Sequence, residues 1–357
     1  MKNQWRRAWM ELAYHNRGAL RPAAGLLAPL SDLYGAVARR KRKNKRAARP
    51  CLVPVISIGN ITVGGCGKTP LAQSIARLLQ QQGRRPGVLL RGYQRKSNQA
   101  LMITPSTFDP LRIPDYGDEA ALYAFRCGLP TGVAAQRADA AQLLLDNTDC
   151  DVFILDDGFQ HYQFHRDIDL VVVNGDNPFG NRHCLPLGPM REPASALREA
   201  DAIIVRGGEI EFPNLDEMPI FKGGMEWTAV SPYAQWRQGD FENTTPIASL
   251  KPRRAALVSG LGDPGRFEQQ ARQLGVDVAA HYPFADHHWF TANEIAGVAA
   301  NHETIITTEK DAVRLLALNT QIEDYADRLF VIQAEWRMND QPLFTDWLQT
   351  RLDRASS

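Results

Sequence analysis

At 357 residues and 44% hydrophobic composition the chain is long enough for two domains with buried cores, which excludes a disordered or fibrous polymer. Its five cysteines, Cys51, Cys66, Cys127, Cys150 and Cys184, lie far apart with no C-x-x-C pair, so the sequence indicates neither a disulfide framework nor a zinc site and fits a reducing compartment. The net charge of +1 hides an asymmetry: the first fifty residues hold 13 Lys/Arg against 2 Asp/Glu, the remainder 28 against 38, and so basic an arm is expected to meet an anionic surface.

Within that arm, Trp5, Trp9, Leu12, Tyr14, Leu20, Leu26, Leu27, Leu30, Leu33 and Tyr34 alternate with Arg6, Arg7, Arg17 and Arg21. No apolar run approaches the roughly 20 residues of a spanning helix. The pattern predicts an interfacial amphipathic segment over residues 1–48, lying on an anionic membrane with the Arg39-to-Arg49 cluster toward lipid headgroups. A helix packed on its own domain beside a solvated charge run is the alternative. A signal peptide is not expected, because Arg21 and the basic cluster stand where a small-residue cleavage site would be. Nucleic acid is not expected as a partner either, since the cluster lacks interleaved aromatics and a recognisable binding module.

The next element organises the chain. Val53 to Ile58 is a β-branched run suited to a buried strand, and Leu71, Ile75, Leu78 and Leu79 recur at helical spacing. Between them lies Thr62-Val63-Gly64-Gly65-Cys66-Gly67-Lys68-Thr69, which departs from G-x-x-x-x-G-K-[ST] only in having Thr62 for the first glycine. Strand, loop and helix in this order predict a phosphate loop: backbone N–H groups and the helix N-terminus cradle a triphosphate, Lys68 reaches its outer phosphates and Thr69 holds Mg²⁺. A glycine-rich turn with a chance Lys-Thr would not require the flanking elements. Cys66 reads as a small filler.

Gly87 to Leu90 predicts a second strand ending in Arg91-Gly-Tyr-Gln-Arg95, whose arginines serve either an anionic acceptor or a solvated turn. Asp118 opens a helical run through Ala121, Leu122 and Phe125, placed as its N-cap or, near a transferred phosphate, to accept a hydroxyl proton. Asp151 to Leu155 is an apolar strand delivering Asp156 and Asp157 to the sheet edge, where phosphate-loop enzymes keep their magnesium-side carboxylate. His161 and His165, four apart, would face each other on a helix but lack a third metal ligand. Asp169 to Val173 and Ala202 to Val205 continue the strand series around an irregular loop at 185–193. Asn174-Gly-Asp176 is not the N-K-x-D of a guanine site.

These alternations predict an α/β fold, with a P-loop NTPase-type parallel-sheet domain over 49–213, a junction at 214–250 and a smaller α/β domain over 251–357. In the latter, strands are expected at 255–258, 304–307 and 328–332, and helices near 265–274, 291–300 and 310–318.

V-G-G-C-G-K-T-P, R-G-Y at Arg91–Tyr93, G-D-E at Gly117–Glu119, D-D-G-F-Q-H at Asp156–His161, L-G-P-M-R-E-P at Leu187–Pro193, F-A-D-H at Phe284–His287 and T-E-K-D at Thr308–Asp311 together resemble the tetraacyldisaccharide 4′-kinase family of lipid A biosynthesis. The resemblance implies transfer of the ATP γ-phosphoryl group to the 4′-hydroxyl of an acylated glucosamine disaccharide 1-phosphate, at the cytoplasmic face of an inner membrane; no obligate protein partner is inferred. It places the loop, Asp156 and Asp157 on Mg-ATP, makes Asp118 the base paired with His287, and lets Arg191 and Glu192 line the site. Asp118 and His287 fall in different expected domains, so they would meet only across a cleft. Ala120 stands where the family commonly has Pro. Two rivals remain at this stage: a kinase or ligase acting on a soluble metabolite, and a membrane-associated ATPase switch that has no acceptor.

Overall fold

The structure is a computed structural model that describes residues 2–43, 50–209, 217–250 and 254–355. In chain order, helices α1 (Lys2–His15) and α2 (Ala24–Lys43) precede strand β1 (Val55–Gly59), helix α3 (Lys68–Gln81), β2 (Pro86–Leu90) and β3 (Leu101–Ile103). Then come α4 (Ile113–Tyr116), α5 (Asp118–Arg126), β4 (Thr131–Val133), α6 (Arg137–Asn147), β5 (Val152–Asp156), β6 (Ile168–Asn174) and β7 (Ala202–Arg206). The rest comprises β8 (Ile220–Pro232), α7 (Tyr233–Trp236), β9 (Arg254–Ser259), α8 (Pro264–Gln273), β10 (Asp277–Pro283) and α9 (Ala292–Ala299). It ends with β11 (Ile305–Thr308), α10 (Glu309–Leu316), β12 (Leu329–Met338) and α11 (Gln341–Ala355).

Two compact units form, and neither is continuous in sequence. The first comprises Met1–Arg85, Asp151–Met225 and Trp336–Ser357; the second comprises Pro86–Cys150 and Glu226–Glu335. Residues 86–150, expected with the loop, thus pack with 226–335, whereas 336–357 return to the loop's unit. The stretch read as a junction contains the 13-residue strand β8, within which the chain passes from one unit to the other. Its mixed polar and apolar residues had masked a half-buried strand, and residues 210–216 lie outside the described ones.

In the first unit the strand order is β8-β7-β6-β1-β5, all parallel. Strands β1, β5 and β7 are buried at every position, which explains their unbroken apolar runs: a parallel sheet covered on both faces leaves no solvent side to alternate with. Helix α3 covers it with Leu71, Ala72, Ile75, Ala76 and Leu79. Ile61, Phe159, Val171, Leu197 and Ile203 form a core cluster below the loop. The arm packs here along one face: Trp9 donates to the Pro186 carbonyl at 2.7 Å and Ser31 to that of Cys184 at 2.7 Å. Its other face leaves Leu26, Leu30, Leu33, Tyr34 and Val37 exposed at helical spacing. Residues 44–49, which carry the rest of the basic cluster, lie outside the described ones.

In the second unit β10-β9-β11-β12 run parallel, β2 pairs parallel with β4, and β3 closes against β4 antiparallel. Its principal core gathers Tyr233, Trp236, Ala256, Val258, Val313 and Leu315. No helix among the described residues is long and apolar enough to cross a membrane.

Candidate active site

Register puts the loop and the acids on one edge. In the β1–β5 ladder Ile58 faces Asp156, so the chain leaves β1 for the loop at the level where β5 delivers its carboxylate. Gly67, at φ +95°, caps α3 in the left-handed region, and a Cβ there would come within 2.6 Å of the Trp336 ring. A second constraint sits at the end of β1, where a Cβ on Gly59 would meet Phe159 at 2.4 Å. These two glycines let the backbone turn tightly and leave its N–H groups available to a polyphosphate.

The loop's side chains are already linked. Lys68 Nζ donates to Asn60 Oδ1 at 3.2 Å and lies 3.5 Å from Asp157. Burial opposes its charge, but the Cys66 sulfur and the Asp157 carboxylate outweigh that and raise its pKa. Thr69 Oγ1 donates to Asp156 Oδ2 at 3.1 Å, which sets two hard oxygen groups side by side. Cys66 is buried, in keeping with a filler.

The L-G-P-M-R-E-P segment reaches the loop through a short backbone ladder. Val63 N–H donates to the Pro189 carbonyl at 2.8 Å and Arg191 N–H to that of Ile61 at 2.7 Å, with Thr62 bridged to Met190. Arg191 then donates through Nη1 to both oxygens of Asp157 at 2.9 Å. Burial disfavours the Asp157 charge, yet Lys68 and Arg191 prevail and hold its pKa at about 2. Tyr14 of α1 donates its hydroxyl to the Val63 carbonyl, so the arm touches the loop directly.

Two expectations change here. Asp156 and Asp157 were both expected on a metal; Asp156 accepts from Thr69, whereas Asp157 pairs with Lys68 and Arg191. Asp157 follows the end of β5 in the left-handed region, at φ +53°, and its carboxylate meets the two cations. Glu192 was expected to line the site. Instead it is 2% exposed, accepting from Arg42 Nε at 2.6 Å and from the Tyr162 hydroxyl at 2.5 Å. Arg191 thus points to the loop while its neighbour is held in the interior by Arg42 and Tyr162.

The second unit contains the other group of candidates. Asp118 is the first residue of α5 after Gly117, not its N-cap, and accepts from the Glu119 N–H at 2.9 Å. His287 Nδ1 lies 2.8 Å from Asp118 Oδ2. The pair is therefore formed within one unit, correcting the expectation that it meets only across a cleft between domains. Ala120 sits in the first turn of α5, where Pro is also tolerated, so the departure from the family's usual residue leaves the helix start in place.

Around this pair the T-E-K-D motif provides the frame. Lys310 Nζ donates to His287 Nε2 at 3.3 Å, which leaves Nδ1–H to donate to Asp118. Arg314, with no side-chain exposure, places Nε 3.7 Å from Asp118 and donates to the carbonyls of His288 at 3.0 Å and Gly260 at 3.1 Å. That clamp supports His287 at φ +59°, a left-handed conformation that costs a non-glycine residue on the order of 1 kcal/mol or more. Burial works against the Asp118 charge, but the His287 hydrogen bond and the Lys310 and Arg314 charges outweigh it, bringing its pKa to about 2. Tyr93 of the R-G-Y motif meets the His287 ring edge-on at 5.7 Å. Arg91 is exposed, as a solvated turn would have it.

Asn60, Lys310 and Arg314 escaped the sequence reading. Lys310 and Arg314 stand within or beside a quoted motif, and Asn60 directly precedes the loop. His161 and His165 do not share a helix, since residues 157–164 form turns, and His165 pairs with Asp167.

Fold and loop together define a P-loop NTPase-type α/β protein. A family model described as LpxK, tetraacyldisaccharide-1-P 4′-kinase, matches residues 23–353, and the chain belongs to that family. It is 37% identical over 300 residues to the tetraacyldisaccharide 4′-kinase of Nitrosococcus oceani, covering 83% of each chain. It is 38% identical over 294 residues to that of Aeromonas hydrophila, covering 81% of this chain and 83% of the other. A crystal structure of LpxK from Aquifex aeolicus, described as an "apo" form in complex with ATP, superposes with a TM-score of 0.75 at 28% identity, covering 92% of this chain and 99% of that one.

Proposed function

We propose that this lipid A 4′-kinase holds ATP on Thr62–Thr69 of its first unit and uses Asp118 and His287 of its second to position the 4′-hydroxyl of a tetraacylated disaccharide 1-phosphate. The observation that carries this reading is the coexistence of a phosphate loop with a buried carboxylate that three neighbours keep ionised. Phosphoryl transfer proceeds through a loose transition state and asks the protein for positioning and charge more than for covalent chemistry. Lys68 and Arg191 supply positive charge to the transferring group, and Asn60 steers Lys68.

At a pKa of about 2, Asp118 is a weak base, so its principal work is to accept and orient the hydroxyl, with the proton moving late. His287 orients Asp118, while Lys310 and Arg314 keep it charged. Thr69 and Asp156 offer the hard oxygen ligands that Mg²⁺ prefers; the described residues contain no cluster of three or more His, Cys, Asp or Glu, and phosphates and water would complete the shell. Bound there, the metal would neutralise charge on the phosphates. Glu192 acts at a remove, through its burial beside Arg191.

The exposed stripe on α2 beside the basic cluster supports docking onto an anionic membrane, in keeping with a lipid acceptor and a peripheral location at the inner membrane. The direct experiment is incubation with labelled ATP, Mg²⁺ and the acylated disaccharide 1-phosphate in mixed micelles. Label should appear on the glycolipid. ATP hydrolysis at the same rate without acceptor would instead favour a nucleotide switch.

A further inference from the structure

We propose that Arg42, in the last turn of the arm helix α2, is a positioning residue for phosphoryl transfer: through Glu192 and Phe159 it fixes the two backbone segments that aim Arg191 and Asp157 at the loop. The inference rests on the kinase reading above.

Arg42 is a cation at the end of a basic helix, yet it does not face water. It is 4% exposed, with Nε at 2.6 Å from Glu192 Oε2, Nη2 at 3.4 Å from the Phe159 carbonyl and Nη1 at 3.4 Å from Glu199. Its guanidinium carbon lies 4.1 Å from the Phe159 ring centroid. Tyr162 takes the second oxygen of Glu192. One planar fork thus grips both segments of the site, residues 156–162 through the Phe159 carbonyl and residues 187–193 through Glu192. The residues next to the two grips do the facing. Arg191, adjacent to Glu192, donates to Asp157, two residues before Phe159, and Asp157 lies beside Lys68.

A buried ion pair is a poor way to gain stability alone, since apolar residues of similar volume do as well or better, whereas removing one partner is costly. What the pair supplies is a fixed geometry, and only a guanidinium offers several donors in one rigid plane. The same helix exposes the Leu26-to-Val37 stripe on its other face. Whatever seats that face is therefore linked to the residue beside Arg191 through the buried Arg42–Glu192 contact.

The test compares the full-length wild type with Arg42→Lys, Arg42→Met and the double variant Arg42→Met/Glu192→Leu, measuring melting temperature, ATP KM and transfer kcat. Arg42→Met should lose both melting temperature and about 10²-fold in kcat, because it strands the Glu192 charge. The double variant removes that stranded charge and should regain the melting temperature, while kcat stays down by at least about tenfold and ATP KM moves less than about threefold. Arg42→Lys keeps the charge without the fork; it should melt near wild type with kcat about tenfold lower. Wild-type kcat in either Arg42→Lys or the double variant would overturn the proposal and leave Arg42 a structural residue. A wild-type enzyme that binds ATP but labels no glycolipid would instead sink the kinase reading, and this inference with it.

Discussion

The loop and the acid pair hold their charges in opposite ways. Beside the loop, Lys68 and Arg191 are balanced by Asp157, whose side chain is 43% exposed, so that anion sits where solvent and an incoming phosphate can compete with it. In the second unit Asp118 is 4% exposed and held by His287, Lys310 and Arg314, all of them from residues 287–314. The first arrangement is exchangeable and the second is locked. A nucleotide site must give up its internal counterions each cycle, whereas an orienting carboxylate works best when its direction does not vary.

This contrast breaks most sharply at Lys68. Lys68→Ala removes the cation directed at the transferring group and should lower kcat/KM by on the order of 10³-fold, measured by label transfer at saturating Mg²⁺. Near-normal turnover would remove the loop from the mechanism.

Comparable in size is the pair. Asp118→Ala and His287→Ala should each cost about 10²–10⁴-fold in kcat with ATP affinity retained, and the double variant should cost little more than the worse single one. Losses that multiply would mean the two act separately.

Thr69→Ala should cost less, about tenfold, and should raise the Mg²⁺ concentration needed for half-maximal rate, since one of its two adjacent oxygen groups is gone. An unchanged Mg²⁺ requirement would detach Thr69 from the metal.

The locked carboxylate also carries a stability signature. The folded pKa of Asp118 is about 2 against an ordinary 3.8, so its contribution is fully present above the unfolded value and is lost as pH falls through the folded one. The unfolded chain takes up the proton first. The difference amounts to about 2 kcal/mol, lost between about pH 5 and about pH 2. Denaturant titrations across that range should show wild type losing this much more than Asp118→Asn; parallel losses would mean that the site is not electrostatically locked.

The smallest effect on folding belongs to the arm's outer face. Leu30→Asp with Leu33→Asp should change stability by less than about 1 kcal/mol while weakening binding to anionic vesicles, and wild-type binding should itself fall with salt as attraction is screened over about 8 Å. Unaltered vesicle binding would show that the stripe is not the lipid contact.

Legibility followed the same division. The loop could be read because its strand, glycines, Lys68, Thr69 and helix are contiguous, and Asp156 because a buried apolar strand must end somewhere on the same sheet edge. Helices α8, α9 and α10 were readable from periodicity to within a residue or two. Strand β8 was not, because its half-buried positions mix polar and apolar residues without clean alternation. Glu192 was placed in the site together with Arg191 by the family resemblance, and nothing in the local sequence says which of two adjacent side chains faces inward. The domain boundaries were hidden for a related reason: two of the crossings between units fall inside β8 and β12, which read like any other strands.

The sequence by itself determined the phosphate loop and the alternating α/β order, because backbone N–H groups, glycine conformations and helix starts act over a few consecutive residues. Only the tertiary structure decided that residues 86–150 join 226–335, that Asp118 and His287 therefore meet within one unit, and that Arg42 reaches Glu192 across 150 positions. Those meetings depend on which strands lie side by side and which way each side chain points from them, and both are settled by packing the whole core at once.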